Sequence, residues 1–247
     1  MLGKMEEHHE GWASEREVSV LLELHVNSQA LVAAASRAAG IAPPQFSIER
    51  LQDQDWVRSS QAQFAPAAIG ERLWVGPSWR EPPPSRIAVR IDPGLAFGTG
   101  AHPTTRLALN FLERNIKGGE RVLDYGCGSG ILAIAAARLG AAQVDAVDLD
   151  PEALETTRAN ALANGVELNP ALPDALPAAY YDLVVSNILA QPLMVLAPLL
   201  AQRGARIALS GILEAQADNV ARAYKPWIDM KIADHDDGWV LLAGARR

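Results

Sequence analysis

The sequence predicts an α/β fold in which parallel strands are joined by helical crossovers, with a small α+β unit ahead of it. Three observations carry this expectation. The stretch Arg121–Asp150, RVLDYGCGSGILAIAAARLGAAQVDAVDLD, reads as strand, glycine turn, helix and strand. A helix inserted between two strands makes them parallel, because only such a crossover returns the chain to the same end of the sheet. Apolar runs and helical patterns go on alternating after Asp150, whereas the elements before the run Pro82–Ser85 are shorter and mixed.

In chain order, residues 1–16 are polar and predict a loosely ordered tail. His8 and His9 stand among Glu6, Glu7 and Glu10, a composition that fits a solvated segment better than a metal site, and no metal is expected. Residues 17–26 (EVSVLLELHV) predict a strand, Ser28–Ala39 a helix closed by Gly40, and Phe46–Leu51 another strand. Trp56, Phe64, Trp74 and Trp79 predict the core of a small unit, with RLWVGPSW as strand and turn. The stiff PPPS run then predicts a linker, which gives a small domain at 1–81, a linker at 82–85 and the main domain at 86–247.

Arg86–Ile91 alternates as a strand and leads into DPGLAFGTGAHPTTRLAL. Gly94, Gly98 and Gly100 make this a flexible ligand-contact loop, and Thr104 or Thr105 can cap the helix that continues through Leu112. His102 is better placed to order that loop than to act as a base. Downstream of Arg121–Asp150, a helix at Pro151–Asn164 is followed by a weak strand at Val166–Leu172. Tyr181–Leu189 (YDLVVSNIL) is a strongly apolar strand that turns polar at Ser186-Asn187, and the C-terminal ends of such strands are where open α/β sheets bind ligands. A helix at Leu193–Gln202, a strand at Arg206–Ser210 and a helix at Glu214–Tyr224 come next. Trp227–Ala233 and Trp239–Ala243 predict a closing antiparallel hairpin.

The chain has 247 residues, 49% apolar and 21% charged, enough for a substantial core. It contains no run of eighteen apolar residues and no leader pattern, so no membrane span is expected. A single cysteine, Cys127, excludes an internal disulfide framework and favours the cytoplasm. A net charge of −7 argues against a broad nucleic-acid surface and suits a basic protein partner. A monomer is expected.

The glycine turn gives the central stretch its chemistry. A turn that opens a helix presents backbone N–H groups and admits a ligand where a Cβ would obstruct it. Asp148, at the tip of the second strand, is placed to bond a ribose diol, which predicts an adenosine-type nucleotide or nucleoside. The dinucleotide fingerprint wants a glycine at position 131, where Ile131 stands; here Gly126, Gly128 and Gly130 alternate after the acid Asp124. This spacing resembles motif I of the class I S-adenosylmethionine (SAM) methyltransferases. SAM has a sulfonium and an amino group but no phosphate, so an acid beside the turn suits it.

In combination, FGTGAHPTTR, DYGCGSGILAIAA, DAVDLDPEAL and SNILAQPL closely resemble the ribosomal protein L11 methyltransferase family (PrmA), over roughly Trp56 to the C-terminus. The resemblance implies a seven-stranded methyltransferase sheet joined to a small N-terminal α+β domain that recognises the substrate. It implies methylation of lysine side chains and the α-amine of ribosomal protein L11. Carried over by motif, the SAM contacts are Thr105, Gly126, Asp148 and Asn187, with Gly128 and Phe97 close by. What precedes Trp56 is shorter than the family's N-terminal domain, which implies either a reduced domain or a chain that begins partway through it.

An amine must be uncharged to attack, and no obligatory general base is expected for that. Desolvation and a neighbouring positive charge both lower amine pKa values. Asn187 is then the catalytic candidate, its side-chain oxygen accepting N–H bonds and aiming the lone pair. Cys127, between two glycines, is a small turn residue and not a nucleophile. Three rivals stand against this reading: a related methyltransferase acting on another amine, a NAD-dependent oxidoreductase, and a SAM-binding protein without catalysis. Asn187-Ile188-Leu189 in place of Asn-Pro-Pro-aromatic counts against glutamine and base methylation.

Overall fold

The computed structural model describes residues 5–6, 19–20, 28–42, 65–92, 100 and 102–246. The strand expected at Phe46–Leu51 and the aromatics Trp56 and Phe64 lie outside the described residues. The chain divides into two compact units, Met1–Gln52 and Asp53–Arg247. In the first, β1 (Met5–Glu6) pairs antiparallel with β2 (Ser19–Val20), so part of the polar N-terminal stretch forms a strand. Helix α1 (Ser28–Ala39) runs as its small-residue composition predicts and ends at Gly40, whose φ of 67° suits glycine.

The second unit opens with a three-stranded sheet of β3 (Ala67–Ile69), β4 (Leu73–Gly76) and β5 (Ile87–Arg90). Strand β4 pairs with β3 antiparallel and with β5 parallel. The Pro82–Ser85 run therefore connects two paired strands of one sheet and does not separate domains. Ile69, Leu73, Val75 and Val89 join the same hydrophobic cluster as the main sheet. A proline run is stiff and extended wherever it lies, so composition alone could not tell a linker from a crossover.

The main sheet has seven strands: β6 (Arg121–Tyr125), β7 (Gln143–Val147), β8 (Asn169–Ala171), β9 (Tyr181–Asn187), β10 (Gly204–Leu213), β11 (Lys231–Asp236) and β12 (Trp239–Ala245). Their spatial order is β11-β12-β10-β9-β6-β7-β8. All neighbouring pairs from β10 to β8 are parallel, and β12 inserts antiparallel between β10 and β11. The closing hairpin turns at Asp237-Gly238, both at positive φ (49° and 76°), as a two-residue turn of the primed type demands. Its first strand thus lies at Lys231–Asp236 and not Trp227–Ala233: the Asp-Gly pair fixes the register, and the apolar run at Trp227 packs in the loop before it.

Period-two alternation places the two cores. Val122, Leu183, Val185, Ala208 and Leu241 face one cluster, whereas Leu123, Val184, Ile207, Leu209, Val240 and Leu242 face the other. The first face is covered by α2 (Pro103–Asn115), α3 (Ile131–Arg138) and α4 (Pro151–Ala163), through residues such as Leu109, Ile134 and Leu154. The second is covered by α5 (Ala190–Leu200) and α6 (Ala217–Tyr224), through Leu193, Leu200, Val220 and Tyr224. Strands buried on both faces read as continuous apolar runs, which is why β6 and β9 were legible.

Candidate active site

Strand order reverses between β6 and β9: β7 and β8 lie to one side, β10 and the hairpin to the other. Ligands of open α/β sheets bind in the crevice at such a switch point, beyond the strands' C-terminal ends. Here those ends are Tyr125-Gly126 and Ser186-Asn187.

The glycine turn is wired internally. Gly126 and Cys127 both donate their N–H groups to Val147 O (2.7 and 3.0 Å), Gly130 donates to Cys127 O (2.8 Å), and Gly128 donates to the Asp148 carboxylate (2.9 Å). Its carbonyls are held too, Gly128 O by the Thr157 hydroxyl (3.1 Å) and Ser129 O by Asn160 (2.8 Å). The expectation of exposed N–H groups is not met, because β7 and Asp148 supply the acceptors. The N–H groups of Gly126, Cys127, Gly128 and Gly130 in this turn are thus committed to internal acceptors. Its glycines are needed for another reason. A Cβ on Gly126 (φ 81°) would stand 2.4 Å from Ile188 Cγ2, and one on Gly211 (φ 84°) would stand 2.1 Å from Ile188 O. Ile188 is clamped between the two, which sets the loop after β9 against the glycine turn.

Asp148 directly follows β7, which ends at Val147. Its two oxygens accept from Gly128 N and Asp150 N (2.9 and 3.1 Å), which fixes the carboxylate while leaving each oxygen capacity for a further donor. Asp150 is the N-cap of α4, accepting the Glu152 N–H at 2.9 Å. Asp124 is wholly buried: Oδ2 accepts the Ala133 N–H of α3 at 3.0 Å, and Oδ1 has no partner among the described residues. Burial pushes its pKa up to about 7; the Ala133 N–H offsets part of the rise and the charge of Asp148 adds to it.

Asn187 ends β9, half-buried, and donates from Nδ2 to the Thr105 hydroxyl at 3.3 Å. Thr105 is itself wholly buried in the first turn of α2. The cap of that helix is His102, not a threonine. Pro103 takes the first helical position, so the cap falls on the residue before it, and the His102 ring accepts from Thr104 N and lies 2.8 Å from Thr104 Oγ1. The same ring packs edge-on against Trp239 at 5.1 Å. Ser210 donates to Thr104 O and Ser186 to Tyr125 O (2.8 and 2.6 Å), bonds that join β10 to α2 and β9 to β6. Sequence reasoning missed these two serines, Thr157 and Ile188, since each acts through a partner remote in the chain. Burial pushes the Cys127 thiol up to about 12, which leaves no nucleophile there. Phe97 lies outside the described residues, as do His8 and His9. The described residues hold no group of three metal-ligating side chains.

Asn187, Gly126, Gly128 and Asp148 thus stand at or just beyond the C-terminal ends of β9, β6 and β7, with Asn187 bonded to Thr105 and Gly128 to Asp148. A seven-stranded sheet with an antiparallel strand inserted beside its edge, an acid beyond the second strand and a glycine turn with alternate glycines define a class I methyltransferase. Comparison with known proteins gives the particular family. Residues 3–247 match the profile of Ribosomal protein L11 methyltransferase (PrmA), and the chain belongs to that family. A Ribosomal protein L11 methyltransferase of Cupriavidus pinatubonensis is 53% identical over 220 residues, 87% of this chain and 74% of that protein. One from Chromobacterium violaceum is 49% identical over 240 residues, 96% and 80% of the two chains. The crystal structure of the ribosomal protein L11 methylase from Lactobacillus delbrueckii subsp. bulgaricus superimposes with a TM-score of 0.67 at 33% identity, covering 74% of this chain and all of that one. The T. thermophilus 16S rRNA methyltransferase RsmC, solved with AdoMet and guanosine, shares the fold at a TM-score of 0.52 and 21% identity, over 62% of this chain and 45% of that chain.

Proposed function

We propose that this chain transfers methyl groups from SAM to lysine side chains and the α-amine of ribosomal protein L11, in the cytoplasm, with the unit Met1–Gln52 serving recognition. The observation that carries the chemistry is Asn187, anchored through Nδ2 by the buried Thr105 hydroxyl at the switch point. Its oxygen is left as the acceptor for an incoming amine. The residues fit SAM: four N–H groups of the turn are committed to internal acceptors, and Asp148 keeps two fixed oxygens for a ribose diol. Gly126 and Gly128 would line the nucleoside, with Phe97 beside it. When bound, SAM supplies an electrophilic methyl on a sulfonium whose departure requires no proton.

The protein's own task is to present a neutral amine in line. Discharging a lysine of pKa about 10.4 at pH 7 costs roughly 4.6 kcal/mol, against roughly 1.4 kcal/mol for an α-amine near 8. Desolvation in the crevice lowers both. The Asn187 oxygen and nearby carbonyls then accept N–H bonds and aim the lone pair, a contribution of orientation. The deciding experiment is methyl transfer from labelled SAM to purified L11, followed by intact mass and peptide mapping. Whole methyl increments mapped to lysines or the N-terminus are expected. SAM binding without transfer to L11 would point to another amine or to a binding protein.

A further inference from the structure

We propose that Leu189 and Leu213 are specificity residues that flank the acceptor amine and pack on the methylene stem of a lysine; this rests on the protein-amine reading above. Both leucines are exposed, 69% and 42%; other exposed aliphatics such as Leu162 and Val195 lie on helix surfaces, whereas these two follow the C-terminal ends of β9 and β10 beside Asn187. They leave the same edge of the sheet side by side. Leu189 follows Asn187-Ile188 at the end of β9, Leu213 ends β10, and the parallel register sets Ser210 opposite Asn187. Asn187, two residues before Leu189, is the residue anchored by the Thr105 hydroxyl.

Leu189 breaks two local rules at once. It is the N-cap of α5, a position where serine, threonine, aspartate or asparagine would satisfy a free helix N–H, and it makes no such bond. It also exposes a large apolar side chain to water. Leu213 likewise precedes a 3-10 turn (Glu214–Gln216) and pairs across the sheet with half-buried Trp239, against which His102 packs. Local rules broken without a packing return mark functional positions. Apolar walls suit the chemistry as well. They match the four methylenes of lysine, and they exclude water from an amine that must lose its charge before it attacks.

The test compares steady-state methylation of L11 by the unaltered full chain with Leu189→Ser, Leu213→Ser and Leu189→Met, using Leu162→Ser, a more exposed leucine on α4, as control. In the two serine variants kcat/KM for L11 is expected to fall about tenfold, and its pH midpoint to move upward. The SAM Kd should stay within about twofold, on the same scale at which such contacts discriminate. Serine is the better cap, so Leu189→Ser should melt no lower than the unaltered protein. Leu189→Met should recover most of the loss. Unchanged kcat/KM in both serine variants, or a matching loss of SAM affinity, would overturn the inference alone. Absence of transfer by the unaltered protein would overturn the substrate reading first, and the inference with it.

Discussion

The buried Thr105 hydroxyl anchors the amide of Asn187, the residue proposed to orient the acceptor amine. Thr105 is 0% exposed, so its role reaches the crevice only through the amide it anchors. Thr105→Val keeps the shape and removes the acceptor. It is expected to lower kcat roughly tenfold or more through misorientation, with a smaller change in SAM affinity; Asn187→Ala should lose still more turnover. Rapid-quench kinetics beside calorimetric SAM binding would separate the two effects. Asp124 carries the pH dependence of stability. Burial pushes its carboxyl up to about 7 in the folded chain, from an ordinary value of 3.8. A raised acid contributes stability that is complete below about pH 4 and is lost as pH rises toward 7. The loss is on the order of 4 kcal/mol at about 1.36 kcal/mol per unit. Urea unfolding between pH 4.5 and 7.5 should show the decline, and Asp124→Asn should flatten it. An equal slope in both proteins would assign the effect elsewhere.

At the scale of elements, the loop after β9 is fixed by two glycines that lie far from it in sequence. Gly211→Ala would drive a Cβ into the Ile188 carbonyl from a left-handed backbone position. It should cost about 2 kcal/mol or more and depress methyl transfer beyond its effect on melting temperature. Asn164 makes a comparable joint. Its amide donates to Arg90 O and accepts from Arg90 N, both at 2.7 Å, and so ties β5 to the end of α4. Asn164→Ala should speed amide exchange across residues 87–92 while global stability falls by only about 1–3 kcal/mol. Element type was legible where period and punctuation agreed, as in α1, β6, α3 and α4. Boundaries moved where one residue outweighed the pattern: Pro103 shifted a cap, and Asp237-Gly238 shifted a hairpin.

For the whole molecule, the described buried residues of the two hydrophobic clusters run from Ile69 to Leu242, which are positions in the unit Asp53–Arg247. A fragment beginning at Asp53 is therefore expected to fold cooperatively and to bind SAM within about threefold of the full chain, since the crevice contacts are internal to it. Transfer to L11 should fall sharply if Met1–Gln52 recognises the substrate. Calorimetry and the labelled-methyl assay on the same fragment would check both parts. Among the described residues no helix is long and apolar enough to cross a membrane. By itself the sequence determined the α/β class, the glycine turn, the acid beyond the second strand and the Asn187 strand end, because each is written in local spacing, propensity and apolar run length. Only the tertiary structure decided that four of the turn's N–H groups bond internally, that Thr105 bonds Asn187, that Ile188 packs against Gly126 and Gly211, and that Pro82–Ser85 bridges paired strands. Those facts depend on which strands become neighbours, and pairing between distant segments is set by packing of the complete sheet.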